Sequence, residues 1–414
     1  MSHVPPSQDF DVVVAGGGPV GATAAALLAR ATRTDRVPLR VGVIEPRRPA
    51  VPALDAPMDL RVSAYSRASE RVLKAAGAWD AIKAHRLCAY ERMRVWHESV
   101  PPTGKGALVF DAAEVGEPNL GYIIETRVVQ GALLDACLEA GAELIAAELV
   151  SLSIGEDRVQ VETSGGSLTA RLLVGADGAN SAVRAAAGIN SRTSGYQQTA
   201  IVAVVRTERS HESTAWQRFL RTGTLAFLPL SDGTSSIVWS ADDELAKSLL
   251  AMPPEAFGRE LTAASDAALG TCTLVSERAS FPLRKLSAEH FAVHRCALVG
   301  DAAHVVHPLA GQGVNLGLLD AAALAETVLG GRREREDPGA LRLLRRYERW
   351  RKSESLILST AIDAFDRFLA HGHGPVARVA QRGLGWVNAL PEVKRVFIRR
   401  ALGVEGELPA VARR

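Results

Sequence analysis

Asp11-Val12-Val13-Val14-Ala15-Gly16-Gly17-Gly18-Pro19-Val20-Gly21, running on into the alanine-rich Ala22 to Arg30, decides the fold. Asp11 to Ala15 predicts a buried strand, the glycines a turn and the alanines a helix. Val41 to Ile44 supplies a second strand that ends at Glu45. Together these make a βαβ nucleotide-binding unit. Gly16 permits the tight turn, Gly18 leaves room for a pyrophosphate, and Gly21 lets helix and strand approach closely. The helix start offers free amides to a diphosphate. Glu45 has the position and charge to accept hydrogen bonds from an adenosine ribose. The glycines do not choose between NAD and FAD.

Two further strand ends carry an acid beside a glycine. Leu172-Leu173-Val174-Gly175-Ala176-Asp177-Gly178 predicts a buried strand that delivers Asp177 and Gly178 ahead of a helix through Val183. Asp177 reads either as a ligand-facing acid or as the cap of that helix. Far downstream, Ala297-Leu298-Val299 delivers Gly300-Asp301-Ala302-Ala303-His304, followed by Pro308 and by Gly311-Gln312-Gly313-Val314-Asn315 before a helix over Leu316 to Leu329. Asp301 suits a ribityl hydroxyl, and Pro308 stiffens the loop. Amides at the helix start can stabilise negative charge on the N1/O2 side of a reduced isoalloxazine. Pro308 and the backbone of Gly311, Gln312 and Gly313 are therefore expected on the flavin side of a reaction cavity, with no general base assigned. This stretch and the N-terminal unit together point to a flavoenzyme rather than a plain dehydrogenase. His304 and His307 lack a third ligand at metal spacing and read as loop braces.

The rest of the chain bounds this reading. Its 414 residues are 47% hydrophobic and 23% charged, enough for two packed units and a buried cofactor. Apolar runs are interrupted before membrane-spanning length, so no transmembrane helix is expected. A net charge of +2 argues against a nucleic-acid partner. Cys88, Cys137, Cys272 and Cys296 show no CxxC spacing, and the start of the chain lacks a leader pattern; a cytoplasmic setting is expected.

Ser66 to Ala76 and Arg127 to Ala140 read as helices, and Leu144 to Ser153 with Val159 to Ser164 as a strand pair. Ala200 to Arg206, Gly223 to Pro229, Ser236 to Trp239 and Thr271 to Phe281 predict a second, sheet-based unit. Its aromatics Tyr196, Trp216, Phe219, Phe227 and Trp239 are candidates for a substrate pocket, although each is individually the commoner type of core residue. The C-terminal part reads as helical. Tyr347, Trp350, Ile357, Leu358, Ile362, Phe365 and Phe368 recur at helical spacing, as a face covering the cofactor unit would. Val393, Val396, Phe397 and Ile398 amid Lys394, Arg395, Arg399 and Arg400 suggest a basic amphipathic face for peripheral contact with a membrane or a biosynthetic complex.

Gly16/Gly18/Gly21, Asp177-Gly178 and Gly300-Asp301, in that order, resemble the class A FAD-dependent aromatic hydroxylases, the para-hydroxybenzoate-hydroxylase-like family. Within it, Gly300 to His304 with Pro308 to Gly317, and the late Leu390 to Lys394 followed by Gly403, resemble the ubiquinone-biosynthesis hydroxylases. The resemblance implies an α/β fold: a glutathione-reductase-like FAD-binding domain, a three-layer ββα Rossmann variant, with a mainly antiparallel substrate domain and C-terminal helices. On that pattern 9–75, 125–185 and 290–335 form the FAD-binding domain, 76–124 and 186–289 the substrate domain, and 336–414 the helical region. It implies bound FAD, NADH or NADPH as electron donor, and O₂ with a phenolic, possibly prenylated, substrate. It also implies that Arg127 contacts the flavin side and that Asp177-Gly178 serves both FAD and the pyridine nucleotide, displacing the capping role. A soluble hydroxylase of a small aromatic or polyketide-like metabolite, and a non-catalytic FAD-binding interaction protein, are the alternatives.

Overall fold

The computed structural model describes residues 8–33, 35–104, 106–307, 311–333, 335–365, 392, 394–395, 399, 402–403 and 406–413. Gln8–Ala15 is the central strand of a sheet. Val41–Ile44 pairs with it in parallel on one side and Gly166–Gly175 on the other, with Cys296–Leu298 parallel beyond the latter. Val12, Val13 and Val14 are wholly buried, as befits parallel strands covered on both faces. Helices Pro19–Thr32, Thr126–Glu139 and Gln312–Arg333 pack together, the first between the other two. Glycine permits one of those contacts: a Cβ on Gly317 would lie 2.6 Å from Val20 Cγ2.

Leu144 to Ser153 is not one strand. Glu143–Ile145 extends the parallel sheet beside Val41–Ile44, the chain turns at Ala147, and Leu149–Ile154 forms an antiparallel hairpin with Val159–Thr163. The turn is closed by the Ala147 amide donating to the Ile145 carbonyl at 2.9 Å, so the chain leaves the parallel layer directly after Ile145.

The second large sheet runs His304–Val305, Ala279–Ala288, Ser191–Thr207, Ser235–Asp242, Gly223–Pro229, Thr214–Leu220, Arg92–His97, Leu108–Asp111. It is antiparallel except between Thr214–Leu220 and Arg92–His97. Strand alternation sorts its two faces. Ile201, Leu225, Phe227, Ile237 and Trp239 form one core with helices Asp243–Ala251 and Pro254–Ala264. Val204 and Leu228 belong to the opposite face, which packs on a small sheet of Val62–Ser66, Gly121–Glu125 and Cys88–Tyr90. That small sheet joins the two large ones.

Of the expected covering face on helix Leu341–Phe365, Tyr347 is fully buried and Trp350 partly so, whereas Ile357 is 48% exposed and turns outward. The Leu358, Ile362 and Phe365 side chains and Phe368 lie outside the described residues, as do Val393, Val396, Phe397, Ile398 and Arg400. Lys394 departs from the expected basic surface face: it is buried against Glu114 at 2.5 Å. Gln312–Arg333 is long and apolar enough to cross a membrane, contrary to expectation, but 61% of its most apolar window is buried within the protein.

Candidate functional site

Three loops meet at the carboxyl ends of three neighbouring parallel strands. Gly16 to Gly18 follows Gln8–Ala15, Asp177-Gly178 follows Gly166–Gly175, and Gly300-Asp301 follows Cys296–Leu298. Backbone bonds carry the pairing to the strand ends, from Ala176 N to Ala15 O at 2.8 Å and from Val299 N to Gly175 O at 3.0 Å. Ligands of open α/β sheets bind at such an edge.

The fingerprint glycines divide by what surrounds them. Gly16 has φ +107°, and a Cβ there would lie 2.4 Å from Ala176 O; a Cβ on Gly21 would lie 2.0 Å from Gly16 O. Both positions exclude a side chain on account of the protein itself. Gly18, Gly178 and Gly313 have nothing within 4 Å of a Cβ position, leaving room for a ligand to approach the backbone. These spaces, with the helix starts at Pro19 and Gln312, fit a dinucleotide carrying a diphosphate and an electron-accepting ring.

The acids differ in their present partners. Glu45 is half-buried, and its Oε2 accepts from Gly17 N at 2.9 Å, so it already braces the turn. Gln130 reinforces the same turn by donating to Gly17 O at 3.1 Å. Asp177 does cap its helix: it accepts from Ser181 Oγ at 2.5 Å and from Val183 N at 3.0 Å, so the capping role implied to be displaced is present. Asp301 has no protein hydrogen-bond partner among the described residues, and the residue as a whole is exposed. Burial of its surroundings raises its pKa above the usual carboxylate value, while His304 and Arg284 pull the other way. Arg127 is half-exposed and donates through Nε to Asp59 at 2.5 Å, at the start of the helix that carries Gln130.

Several residues that the sequence reading passed over hold the loops together. Arg184 donates to Ala302 O at 2.8 Å and to Ala179 O at 2.9 Å, bridging the second and third loops. Burial lowers its pKa while Asp177 raises it. His304 does brace its loop, through Nε2 to Asp320 at 2.5 Å. Asp320 is wholly buried and also meets Arg351. Their only sequence signal was charge inside otherwise apolar or amphipathic helices. Asn315 is not free for a ligand: its amide donates to Ala64 O and Gly311 O and accepts from Ser66 N and Ser69 Oγ. Gln312 opens the helix, and Val314 packs on the main core. Pro308 lies outside the described residues.

The aromatic candidates separate. Tyr196 stands edge-on to buried His307, ring centroids 4.9 Å apart, beside the flavin-side loop expected from the sequence. Trp216, Phe227 and Trp239 do not join it. They belong to the core under the two helices, where Trp239 packs on Phe257 at 5.9 Å. Phe219 falls on the opposite face of its strand from Trp216. A cavity of about 560 Å³ on the helix-covered side is lined by Trp239, Arg218 and Leu249, away from the three loops.

Residues 9–354 match the family described as "FAD binding domain". The chain is 38% identical over 396 residues to the ubiquinone hydroxylase UbiL of Rhodospirillum rubrum, covering 95% of this chain and 89% of that protein. It is 35% identical over 402 residues to the 3-demethoxyubiquinol 3-hydroxylase of Escherichia coli, covering 96% and 100% respectively. The crystal structure of p-nitrophenol 4-monooxygenase PnpA from Pseudomonas putida superposes with a TM-score of 0.75 at 20% identity, over 95% of this chain and 98% of that one, a likeness of fold.

Proposed function

The chain belongs to the class A FAD-dependent aromatic hydroxylases, in the group that holds the ubiquinone-biosynthesis hydroxylases, and from that membership we propose that it hydroxylates a polyprenylated phenol. The observation that carries the cofactor part is the meeting of three acid- or glycine-bearing loops at one sheet edge, with open space at Gly18, Gly178 and Gly313. The proposed FAD-binding domain is glutathione-reductase-like and takes its pieces from 9–75, 125–185 and 290–335; 76–124 and 186–289 form the substrate domain.

When bound, FAD supplies the redox chemistry that activates O₂ with electrons from NADH or NADPH. The chain's residues bind and orient it. Gly16 to Gly18 and the Pro19 helix start receive the diphosphate, Glu45 the adenosine ribose, and Asp301 the ribityl chain. Amides of Gln312, Gly313 and Val314 stabilise negative charge on the ring. The inner face of the large sheet, Tyr196 and the Gly311 segment wall the cavity against water. A prenyl tail is supported by Met58, Leu60, Val62 and Leu228, which are partly buried around Ala64, the residue against which Gly311 packs.

The test is anaerobic reduction by NADH and by NADPH, followed at the flavin absorbance, with a short-chain prenylated phenol and with untailed phenols. We expect the prenylated compound to accelerate reduction most, and its product to gain one oxygen atom once O₂ is admitted. Acceleration by untailed aromatics alone would move the substrate to a small metabolite.

A further inference from the structure

We infer that Asp320 is the positioning residue of the Gly300 to His304 turn, pinning both its ends so that Asp301 is presented to the cofactor. This rests on the flavin reading above. One carboxylate oxygen, Oδ2, accepts from Gly300 N at 3.2 Å and from His304 Nε2 at 2.5 Å. The first and last residues of the turn are thus tied to one atom, four residues apart. Asp301, between them, has no hydrogen-bond partner among the described residues.

The other oxygen, Oδ1, accepts from Arg351 Nε at 2.8 Å. Asp320, His304 and Arg351 are 0%, 3% and 1% exposed, so the attraction among them is little screened by solvent. Burial alone would raise the Asp320 pKa; His304 and Arg351 outweigh it and hold the carboxyl below its usual value. The acceptor for Gly300 N is therefore a charged one, which strengthens the bond.

Arg351 lies on helix Leu341–Phe365, whose Tyr347, one turn earlier, donates to Leu298 O at 2.7 Å. The helix grips the strand that feeds the turn and, through Arg351, the carboxylate that shapes it. Gly300 has φ +59°, a conformation glycine adopts without the usual penalty, so the turn's shape depends on what holds its ends. His304 continues into the two-residue strand paired with Ala279–Ala288, so the same carboxylate also registers the turn against the substrate-side sheet.

A merely structural ion pair and a positioning residue are told apart by comparing Asp320→Asn with Arg351→Met. Both break the buried pair, but only the first removes the charge from both ends of the turn. Apoprotein is titrated with FAD, and amide hydrogen exchange at Gly300 and Asp301 is followed in the apoprotein. We expect Asp320→Asn to raise the FAD Kd at least tenfold and to speed exchange at least tenfold, with Arg351→Met changing each less than threefold. Equal changes in the two variants, or changes under twofold in Asp320→Asn, would overturn the inference. If Asp320→Asn does not fold, His304→Leu, which has no donor for Asp320 and so releases one end of the turn, takes its place with the same two readings and a smaller expected rise of at least threefold. A wild-type protein that binds no FAD would sink the flavin reading; the exchange contrast would still decide whether Asp320 holds the turn.

Discussion

Asn315 Nδ2 donates to the Ala64 carbonyl at 2.8 Å, joining positions 251 residues apart. The same amide holds Gly311 O, and its oxygen accepts from Ser66 N, so one side chain clips the start of the Gln312 helix to the small sheet. Asn315→Ala leaves these buried groups without partners, at roughly 1–3 kcal/mol each. We expect a stability loss of about 3 kcal/mol, read by urea unfolding. Asn315→Asp should also destabilise, since a carboxylate would face two carbonyl oxygens.

Gly18 and Gly21 make opposite predictions. At Gly18 a Cβ has no protein atom within 4 Å, so Gly18→Val should leave apoprotein stability within about 0.5 kcal/mol of wild type while abolishing FAD binding. At Gly21 a Cβ collides with Gly16 O, and Gly21→Val should destabilise the apoprotein itself by at least about 3 kcal/mol. Calorimetry of both apoproteins, beside FAD titration, checks the pair. Retained full FAD occupancy in Gly18→Val would refute the pyrophosphate assignment.

Asp301 is expected to trade stability for binding. Because its pKa is raised in the fold, the stabilising contribution is present below the ordinary carboxylate value and is lost as pH rises through the folded value; ionised Asp301 is a cost at neutral pH. Asp301→Asn should therefore raise the apoprotein Tm slightly at pH 7. The FAD Kd should rise about tenfold, the loss of one charge-assisted hydrogen bond. A lower Tm together with unchanged FAD affinity would contradict both halves.

The buried thiols predict an alkaline limit. Burial pushes Cys137 and Cys296 up to about 12 from an ordinary value of 9. Stability contributed by their neutral form is intact below pH 9 and is lost as pH rises towards 12, because the unfolded chain releases those protons first. The limiting slope is about 1.4 kcal/mol per pH unit for each thiol. Unfolding free energies between pH 8 and 11 test this, and native protein should react with a thiol reagent only on the timescale of opening.

Trp239 should behave as a core residue. Its indole N–H has no hydrogen-bond partner among the described residues, and the ring packs on Phe257. Trp239→Phe is expected to cost less than about 1.5 kcal/mol and Trp239→Ala about 3–5 kcal/mol. Neither should change which phenol accelerates flavin reduction; a switch of preferred substrate would return Trp239 to the pocket.

The local units were legible because their signals are local. In Val41–Ile44 and Gly223–Pro229 even the boundaries follow from apolar runs ended by turn residues. Thr214–Leu220 was missed because Gln217 and Arg218 interrupt its apolar pattern; both are buried by pairing across the sheet. At Asp177 the sequence left two readings open, and the structure shows the capping one, because a strand-end acid beside a helix start reaches that helix's free amides.

From the residue order alone came the βαβ unit, the two later acid-bearing strand ends and the flavoenzyme class, because turn glycines and buried strands act over a few residues. Tertiary structure alone decided that Asn315 serves the protein backbone, that Asp320 and Arg351 sit beneath the Gly300 turn, and that Trp216, Phe227 and Trp239 face the helices. Each of those outcomes depends on partners distant in sequence or on strand register, and a one-residue change of register exchanges the two faces of a strand.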